Sequence, residues 1–291
     1  MPLPPNIESA ARKNEVTDID KTLYVSDLDG TLLLSSEKLS QYTCDTVNAL
    51  VERGMHFSFA TARSITSAAK VTPGLNAKIP VIAHNGVFIV DVTTRENMLF
   101  NRFSDEEAVD IAARLSENNI LPTVYACIDG EQKFSYYPER ISSGMRNFVA
   151  SRRGDPRDNP IVQCCSLLDG DVFYFCCIDS KEKLRPAYES LKDDYNCIYA
   201  KDFYTNEPWL EIMPLQATKA NAVLQLKTML GCDKIVCFGD GKNDISMFEI
   251  ADECYAVRNA VPELKAIATA VIGSNDDDGV AKWLSENAKE S

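Results

Sequence analysis

The sequence holds ten cysteines but no C-x-x-C pair. The paired spacing of zinc sites is therefore missing, which leaves reduced, buried thiols of a reducing cytosol as the plain reading. Cys164-Cys165 and Cys176-Cys177 fall in strand-like runs, so the two members of each pair are expected on opposite faces. An excess of positive charge is also lacking. Thirty Lys and Arg stand against 43 Asp and Glu, a formal net charge of −13. That argues against nucleic acid as a partner, since its binding wants a basic face, and against an anionic membrane surface. A small anionic substrate would need locally placed cations or a metal ion. No apolar run approaches the ~20 residues needed to span a bilayer. No internal repeat or low-complexity region stands out. The first twenty residues, MPLPPNIESAARKNEVTDID, have no apolar h-region. We therefore expect no signal peptide, a loose lead-in over 1–20, and a cytoplasmic protein, monomer or homodimer.

The chain does have enough apolar material for a core, 45% by residue, and a length of 291 residues that suggests about two domains. One stretch organises the rest. Leu23 to Ser26 form a short apolar run that stops abruptly at Asp27-Leu28-Asp29-Gly30-Thr31. Two carboxylates crowded at the end of a buried strand must be solvated, paired or bound to metal.

The pattern that follows alternates. Ser40 to Arg53 carries Val47, Leu50 and Val51 at helical spacing, with Gly54 placed to stop the helix. Met55 to Ala60 is strand-like and ends at Thr61-Ala62-Arg63-Ser64. Pro80 to Ala83 is another short strand, ending at His84-Asn85-Gly86. Strands that alternate with helices and end in polar loops predict a parallel, doubly wound sheet. From about Val90 the texture changes. A helix over Ser104–Asn119 opens with the capping-box spacing of Ser104 and Glu107. A hairpin over 121–137 turns at Asp129-Gly130, and Asp171 to Ile178 reads as a strand. From Trp209 the first texture returns, in WLEIMP, a helix over Thr218–Leu230, the strand KIVCF, and Gly239-Asp240-Gly241-Lys242-Asn243-Asp244. The simplest organisation is an α/β core over 21–88 and 207–291, interrupted by an inserted α+β unit over 89–206.

Four polar clusters thus sit at strand ends of one presumed sheet: Asp27/Asp29/Thr31, Thr61/Arg63, Asn85, and Asp240/Asn243/Asp244. Lys219 opens the helix before the last. Three or four carboxylates converging from both halves of the chain are what a Mg²⁺ site needs, since Mg²⁺ prefers hard oxygen ligands. Thr31, Thr61, Lys219 and turn N–H groups then supply a phosphate cradle.

The residues 25–32, VSDLDGTL, resemble the first motif of the haloacid dehalogenase superfamily, D-x-D-G-T. Residues 238–248, FGDGKNDISMF, are similar to its G-D-x-x-N-D motif. RNAVPELK at 258–265, SNDDDGVA at 274–281 and Asn85-Gly86 resemble the Cof-like, type IIB branch. The second motif departs from the common T-G-R, with Ala62 in the middle. The lysine segment, Gln216-Ala217-Thr218-Lys219-Ala220, departs from G-x-S-K-G.

The resemblance implies a Rossmann-like core with an inserted α+β cap, and a Mg²⁺-dependent phosphatase acting on a small phosphorylated metabolite, sugar phosphates first. It implies Asp27 as nucleophile, forming an aspartyl-phosphate, and Asp29 as acid and then base. It implies a metal held by Asp27, Asp240, the main-chain carbonyl of Asp29, and Asp244. Thr31, Thr61, Arg63, Asn85, Lys219 and Asn243 would bind phosphate or substrate. Two other activities stay open on the same motifs: a sugar phosphomutase, and a non-hydrolysing phospho-ligand-binding protein. His84 reads as structural, Asn259 and Asn275 as braces of nearby loops, and Tyr125, Phe134, Tyr136 and Tyr137 as core more than substrate wall.

Overall fold

The computed structural model describes residues 21–201 and 207–288, so the lead-in expected over 1–20 lies outside the described residues. The chain opens with β1 (Thr22–Ser26), α1 (Gln41–Glu52), β2 (His56–Phe59) and α2 (Ile65–Val71). A hairpin and its extension follow, β3 (Val81–Ala83), β4 (Phe88–Val90) and β5 (Asn97–Phe100), then α3 (Asp105–Glu117). The middle continues with β6 (Thr123–Ile128), β7 (Glu131–Tyr136), α4 (Ser143–Ala150), β8 (Asp158–Pro160), β9 (Asp171–Ile178), α5 (Lys181–Leu191), β10 (Asn196–Lys201) and β11 (Pro208–Met213). The last part is α6 (Lys219–Leu230), β12 (Lys234–Gly239), α7 (Ile245–Glu249), β13 (Glu253–Ala256), α8 (Pro262–Ile267), β14 (Ala270–Val271) and α9 (Gly279–Asn287).

Three sheets result. The first is parallel, in the order β14-β13-β12-β1-β2, and joins the two distant halves of the sequence where β1 pairs with β12. Its central strands are buried along their length, as the continuous apolar runs LYV and IVCF require of a sheet covered on both faces. α1 packs on α9 and α6 on α7, and Leu23, Val25, Val47, Phe57, Val236, Phe238 and Leu284 share one core. The second sheet has six strands in the order β10-β11-β9-β6-β7-β8, antiparallel but for β7 and β8. α3 and α5 pack over it through Ile111, Leu115, Leu184 and Leu191.

Local signals set many boundaries as expected. Ser40 caps α1 by accepting from Thr43 N, and Ser104 and Glu107 form a complete capping box on α3. Asp129 and Gly130 both take positive φ in the two-residue turn of the β6–β7 hairpin.

Three features differ from the sequence reading. Strand β3 does not simply extend the parallel sheet. It touches β2 through a single bridge, Ala60 to Ile82, and turns back to pair antiparallel with β4, which pairs with β5. The segment WLEIMP does not return to the core: as β11 it pairs antiparallel with β9 and β10. Its Leu210 and Ile212 are apolar enough for either sheet, and the strand partners that help bury them are Cys177 and Phe175. Finally, Cys164–Leu168 forms a short 3₁₀ helix rather than a strand, while Cys176 and Cys177 do lie in β9. No helix of the described residues is long and apolar enough to cross a membrane.

Candidate active site

Asp27 follows β1 directly, and its N–H donates to Phe238 O at 2.9 Å, which fixes it beside the end of β12. The next residues, Leu28–Leu32, make one wide helical turn closed by Leu33 N to Leu28 O. Leu28 and Leu32 anchor it in the core while Asp29, Gly30 and Thr31 face the strand ends. Gly30 is required there. Its φ is +76°, and a Cβ would stand 2.4 Å from Asp240 Oδ2. Asn259 Nδ2 donates to Gly30 O at 2.7 Å, Asn275 N donates to Asn259 Oδ1, and Asn275 Nδ2 donates to Leu33 O. The two asparagines brace this turn, as the sequence suggests.

The turn brings together residues more than two hundred positions apart. One carboxylate oxygen from each of Asp27, Asp240 and Asp244 lies within 4.8 Å of the others. Lys219, the first residue of α6, points its Nζ between two of them, 2.6 Å from Asp27 Oδ1 and 2.6 Å from Asp244 Oδ1. A cation at a helix N-terminus is unfavourable unless it meets anions, and here it meets two. Lys219 is 1% exposed and Asp244 0%, so these charges depend on each other rather than on water.

Asp244 Oδ2 accepts from the N–H groups of Asp240 and Gly241, at 3.0 and 2.9 Å. Thr31 Oγ1 donates to Asp240 Oδ1 at 3.4 Å. Burial pushes the Asp27 carboxyl well above the usual range; Lys219 opposes the shift, and Asp244 and Asp240 add to it. Asp240 is raised too, by burial and then by Asp244. Burial works against the Lys219 charge, but Asp244 and Asp27 outweigh it and hold the ammonium above its ordinary value. Three hard-oxygen carboxylates with one ammonium among them are still short of positive charge, and the donor set fits a hard divalent cation.

Asp29 lies beside this cluster, and its side chain is not part of it. Arg63 grips it with a two-pronged contact, Nε to Oδ2 at 2.7 Å and Nη2 to Oδ1 at 2.5 Å, and Nη2 also reaches Glu37 Oε2 at 2.8 Å. Thr61 is fully buried, and its hydroxyl accepts from Arg63 N at 3.1 Å. Asn85 and Asn243, from opposite halves of the chain, meet at 3.4 Å through Asn243 Nδ2 and Asn85 Oδ1. His84, Asn85 and Gly86 take consecutive positive φ values. Gly86 also lies so near α6 that a Cβ would stand 2.2 Å from Thr218 O.

A cleft of about 770 Å³ opens from Asp29, Glu37 and Arg63 towards the six-stranded sheet. Its far wall includes Tyr125, Phe148, Arg152, Arg157, Tyr174, Trp209 and Glu211. His84 borders it from the near side, ringed by Phe88, Tyr125, Phe173 and Tyr174 with centroids 5.4 to 5.9 Å away. Burial, with Arg157 adding to it, pushes the imidazole down to about 3, so the ring is neutral. Its Nε2 is buried without a partner among the described residues. Sequence reading missed this wall. Tyr125 is indeed buried core, yet it also borders the cleft, and no motif marks Arg152 or Trp209.

The model of the haloacid dehalogenase-like hydrolases matches residues 24–284. The chain belongs to that family. It is 29% identical over 280 residues to the 5-amino-6-(5-phospho-D-ribitylamino)uracil phosphatase YwtE of Bacillus subtilis, covering 89% of this chain and 96% of the relative. A second Bacillus subtilis phosphatase of the same description, YitU, is 27% identical over 272 residues, covering 91% and 96%. A solved haloacid dehalogenase-like hydrolase from B. subtilis shares the fold, with a TM-score of 0.73 at 22% identity, covering 91% of this chain and 99% of that one. The chain is accordingly a phosphoric monoester hydrolase of this family.

Proposed function

We propose that this hydrolase is a Mg²⁺-dependent phosphatase that cleaves a small phosphorylated metabolite, a sugar phosphate first among them, through an aspartyl-phosphate. One observation carries the reading: carboxylates of Asp27, Asp240 and Asp244, from both ends of the sequence, crowd within 4.8 Å of one another around the Lys219 ammonium. A solvated turn has no reason to bury such a cluster.

Asp27 would attack phosphorus in line. A bond forms from its carboxylate oxygen to phosphorus, and the ester P–O bond breaks. Asp29 would give its proton to the leaving oxygen, then take one from the water that splits the aspartyl-phosphate and frees Asp27. Arg63 occupies both oxygens of Asp29, so acid work at the leaving oxygen requires one of these contacts to open. Lys219, Thr31 and Thr61 would hold the phosphoryl oxygens, with Asn85 and Asn243 supporting the rim. Asp27, Asp240 and Asp244, with the carbonyl of Asp29, would hold the ion. Bound there, Mg²⁺ would supply the positive charge that lets an anionic nucleophile approach an anionic phosphate. The inserted unit would act as the cap, excluding water and selecting the leaving group.

The test is a panel of phosphorylated sugars, nucleotides and vitamins, with 5-amino-6-(5-phospho-D-ribitylamino)uracil included because two relatives are named for it. We expect Mg²⁺-dependent phosphate release that Asp27→Asn abolishes, with ¹⁸O from labelled water in the released phosphate. Turnover that survives chelation or Asp27→Asn overturns the reading. Phosphate passed to a second sugar without water oxygen would instead make the protein a mutase.

A further inference from the structure

Four carboxylates, Asp29, Glu37, Glu207 and Glu211, and three guanidiniums, Arg63, Arg152 and Arg157, line the cleft. Its near side holds Arg63 against Asp29 and Glu37. On the far side, Arg157 is paired two-pronged with Asp155, at 2.9 and 2.7 Å. Glu211 accepts from the Tyr174 hydroxyl. Arg152 differs. It follows α4, and its guanidinium carbon lies 3.3 Å above the centroid of the Phe148 ring. Nη1 donates to Phe148 O and Ser151 Oγ, both at 3.1 Å. Among the described residues it meets no carboxylate, and its Nε/Nη2 edge meets no acceptor. Phe148 in turn packs edge-on against Trp209, centroids 5.3 Å apart, and Trp209 Nε1 is buried without an acceptor among the described residues.

Arg152, Phe148 and Trp209 therefore form one contiguous cluster on the cleft wall whose unpaired donor edge is that of Arg152. The ring contact and the two Nη1 hydrogen bonds hold the guanidinium in place before any ligand arrives, which lowers the entropy lost on binding. A free guanidinium edge matches a planar oxygen acceptor in two-pronged fashion. In a chain of net charge −13, an unpaired cation in a cleft that leads to the carboxylate cluster calls for an explanation beyond folding.

We propose that Arg152 is a specificity-determining residue: with the Trp209 indole beside it, its guanidinium receives a planar oxygen acceptor, a carboxylate or a ring carbonyl, on the leaving group of the phosphate ester. This rests on the phosphatase reading above and narrows its substrate class. A leaving group with hydroxyls alone accepts single, neutral hydrogen bonds from this edge, whereas a carboxylate or an amide-like ring carbonyl offers the stronger, planar acceptor that the fork prefers.

The experiment measures kcat/KM with Mg²⁺ for four esters on the full chain: 6-phosphogluconate (carboxylate), flavin mononucleotide (ring carbonyls), glucose 6-phosphate (hydroxyls) and phenyl phosphate (no acceptor). Arg152→Met keeps a stem on Phe148 and removes the donors; Arg152→Lys keeps the charge without the planar fork, and serves alone if the Met variant does not fold. We expect the wild type to favour the carboxylate or the carbonyl ester over phenyl phosphate. In Arg152→Met that ratio should fall by about 10- to 100-fold, chiefly through KM, and in Arg152→Lys by less. A wild type with no preference for either acceptor, ratios that stay within threefold in the variants, or an equal loss on all four esters overturns the proposal. If the wild type turns over none of them, the phosphatase reading is judged by the wider panel above and Arg152 by binding. Calorimetric binding of 6-phosphogluconate and flavin mononucleotide to wild type and Arg152→Met then decides for Arg152: affinity lost in the variant supports it, and equal or undetectable affinity overturns it.

Discussion

Lys219 Nζ reaches Asp27 Oδ1 at 2.6 Å across 192 positions of sequence, with both groups buried. The same ammonium reaches Asp244 at 2.6 Å, so one side chain compensates two carboxylates that have little water to turn to. Removing one partner of a buried pair leaves an unpaired charge, at a cost of about 3–5 kcal/mol. Lys219→Met should therefore lower stability by that order in metal-free buffer, read by urea denaturation. It should also reduce phosphatase turnover by about a hundredfold or more. A variant with wild-type stability and turnover would place Lys219 outside the machinery.

Metal addition should act in the opposite sense. Asp27, Asp240 and Asp244 crowd three carboxylates against a single ammonium, so a divalent cation that binds only the folded state stabilises it. At a hundredfold excess over its Kd the gain is about 2.7 kcal/mol. We expect Mg²⁺ to raise the melting temperature and a chelator to reverse the rise. Asp240→Asn should weaken the response at least tenfold in Mg²⁺ concentration, while its metal-free form is no less stable than the wild type, since one repelling charge is gone.

Gly30→Ala tests the wide turn. The added methyl meets both a positive φ and Asp240 Oδ2. We expect a loss of about 1–3 kcal/mol and a larger drop in Mg²⁺-dependent turnover, with the far-ultraviolet circular dichroism unchanged. Gly130→Ala is a control for backbone strain alone, because nothing lies within 4 Å of its added methyl although its φ is +82°.

His84 gives a pH prediction with a defined sign. The folded ring resists protonation down to about pH 3, because burial disfavours the cation, whereas the unfolded chain takes a proton near pH ~6.5. Between those values the unfolded state binds more protons, so stability is intact above the upper one and falls on acidification by up to about 1.4 kcal/mol per pH unit. His84→Phe should flatten that part of the stability–pH curve relative to the wild type, measured by urea denaturation between pH 4 and 7. Parallel curves would mean that the ring is hydrated and titrates normally.

Much of the site is legible in the sequence because short polar loops after apolar runs mark strand ends. Asp27, Thr31, Asp240 and Asp244 are read that way, and the structure gathers them together with Lys219. The sheet to which a strand belongs is not legible in the same way. Pro208–Met213 is apolar at the positions either sheet would bury, and only its partners β9 and β10 assign it to the six-stranded sheet. The β3–β4 hairpin was hidden for a related reason: its turn is His84-Asn85-Gly86, which equally describes the polar end of a lone strand. The far wall of the cleft is set by tertiary packing. Arg152 on Phe148 and Phe148 on Trp209 are contacts between segments whose spacing follows no period.

Because β11 belongs to the six-stranded sheet, only Pro214 to Thr218 separate that sheet from the Lys219 ammonium. This connector is held where it enters α6. Asn196 of β10 donates to Ala217 O at 2.5 Å, and Thr218 is pressed against Gly86. It is a short, braced link rather than a slack tether, and it joins the second sheet directly to the cation among the carboxylates. On the proposed reading, leaving-group recognition on the second sheet and charge balance among the carboxylates share this five-residue link.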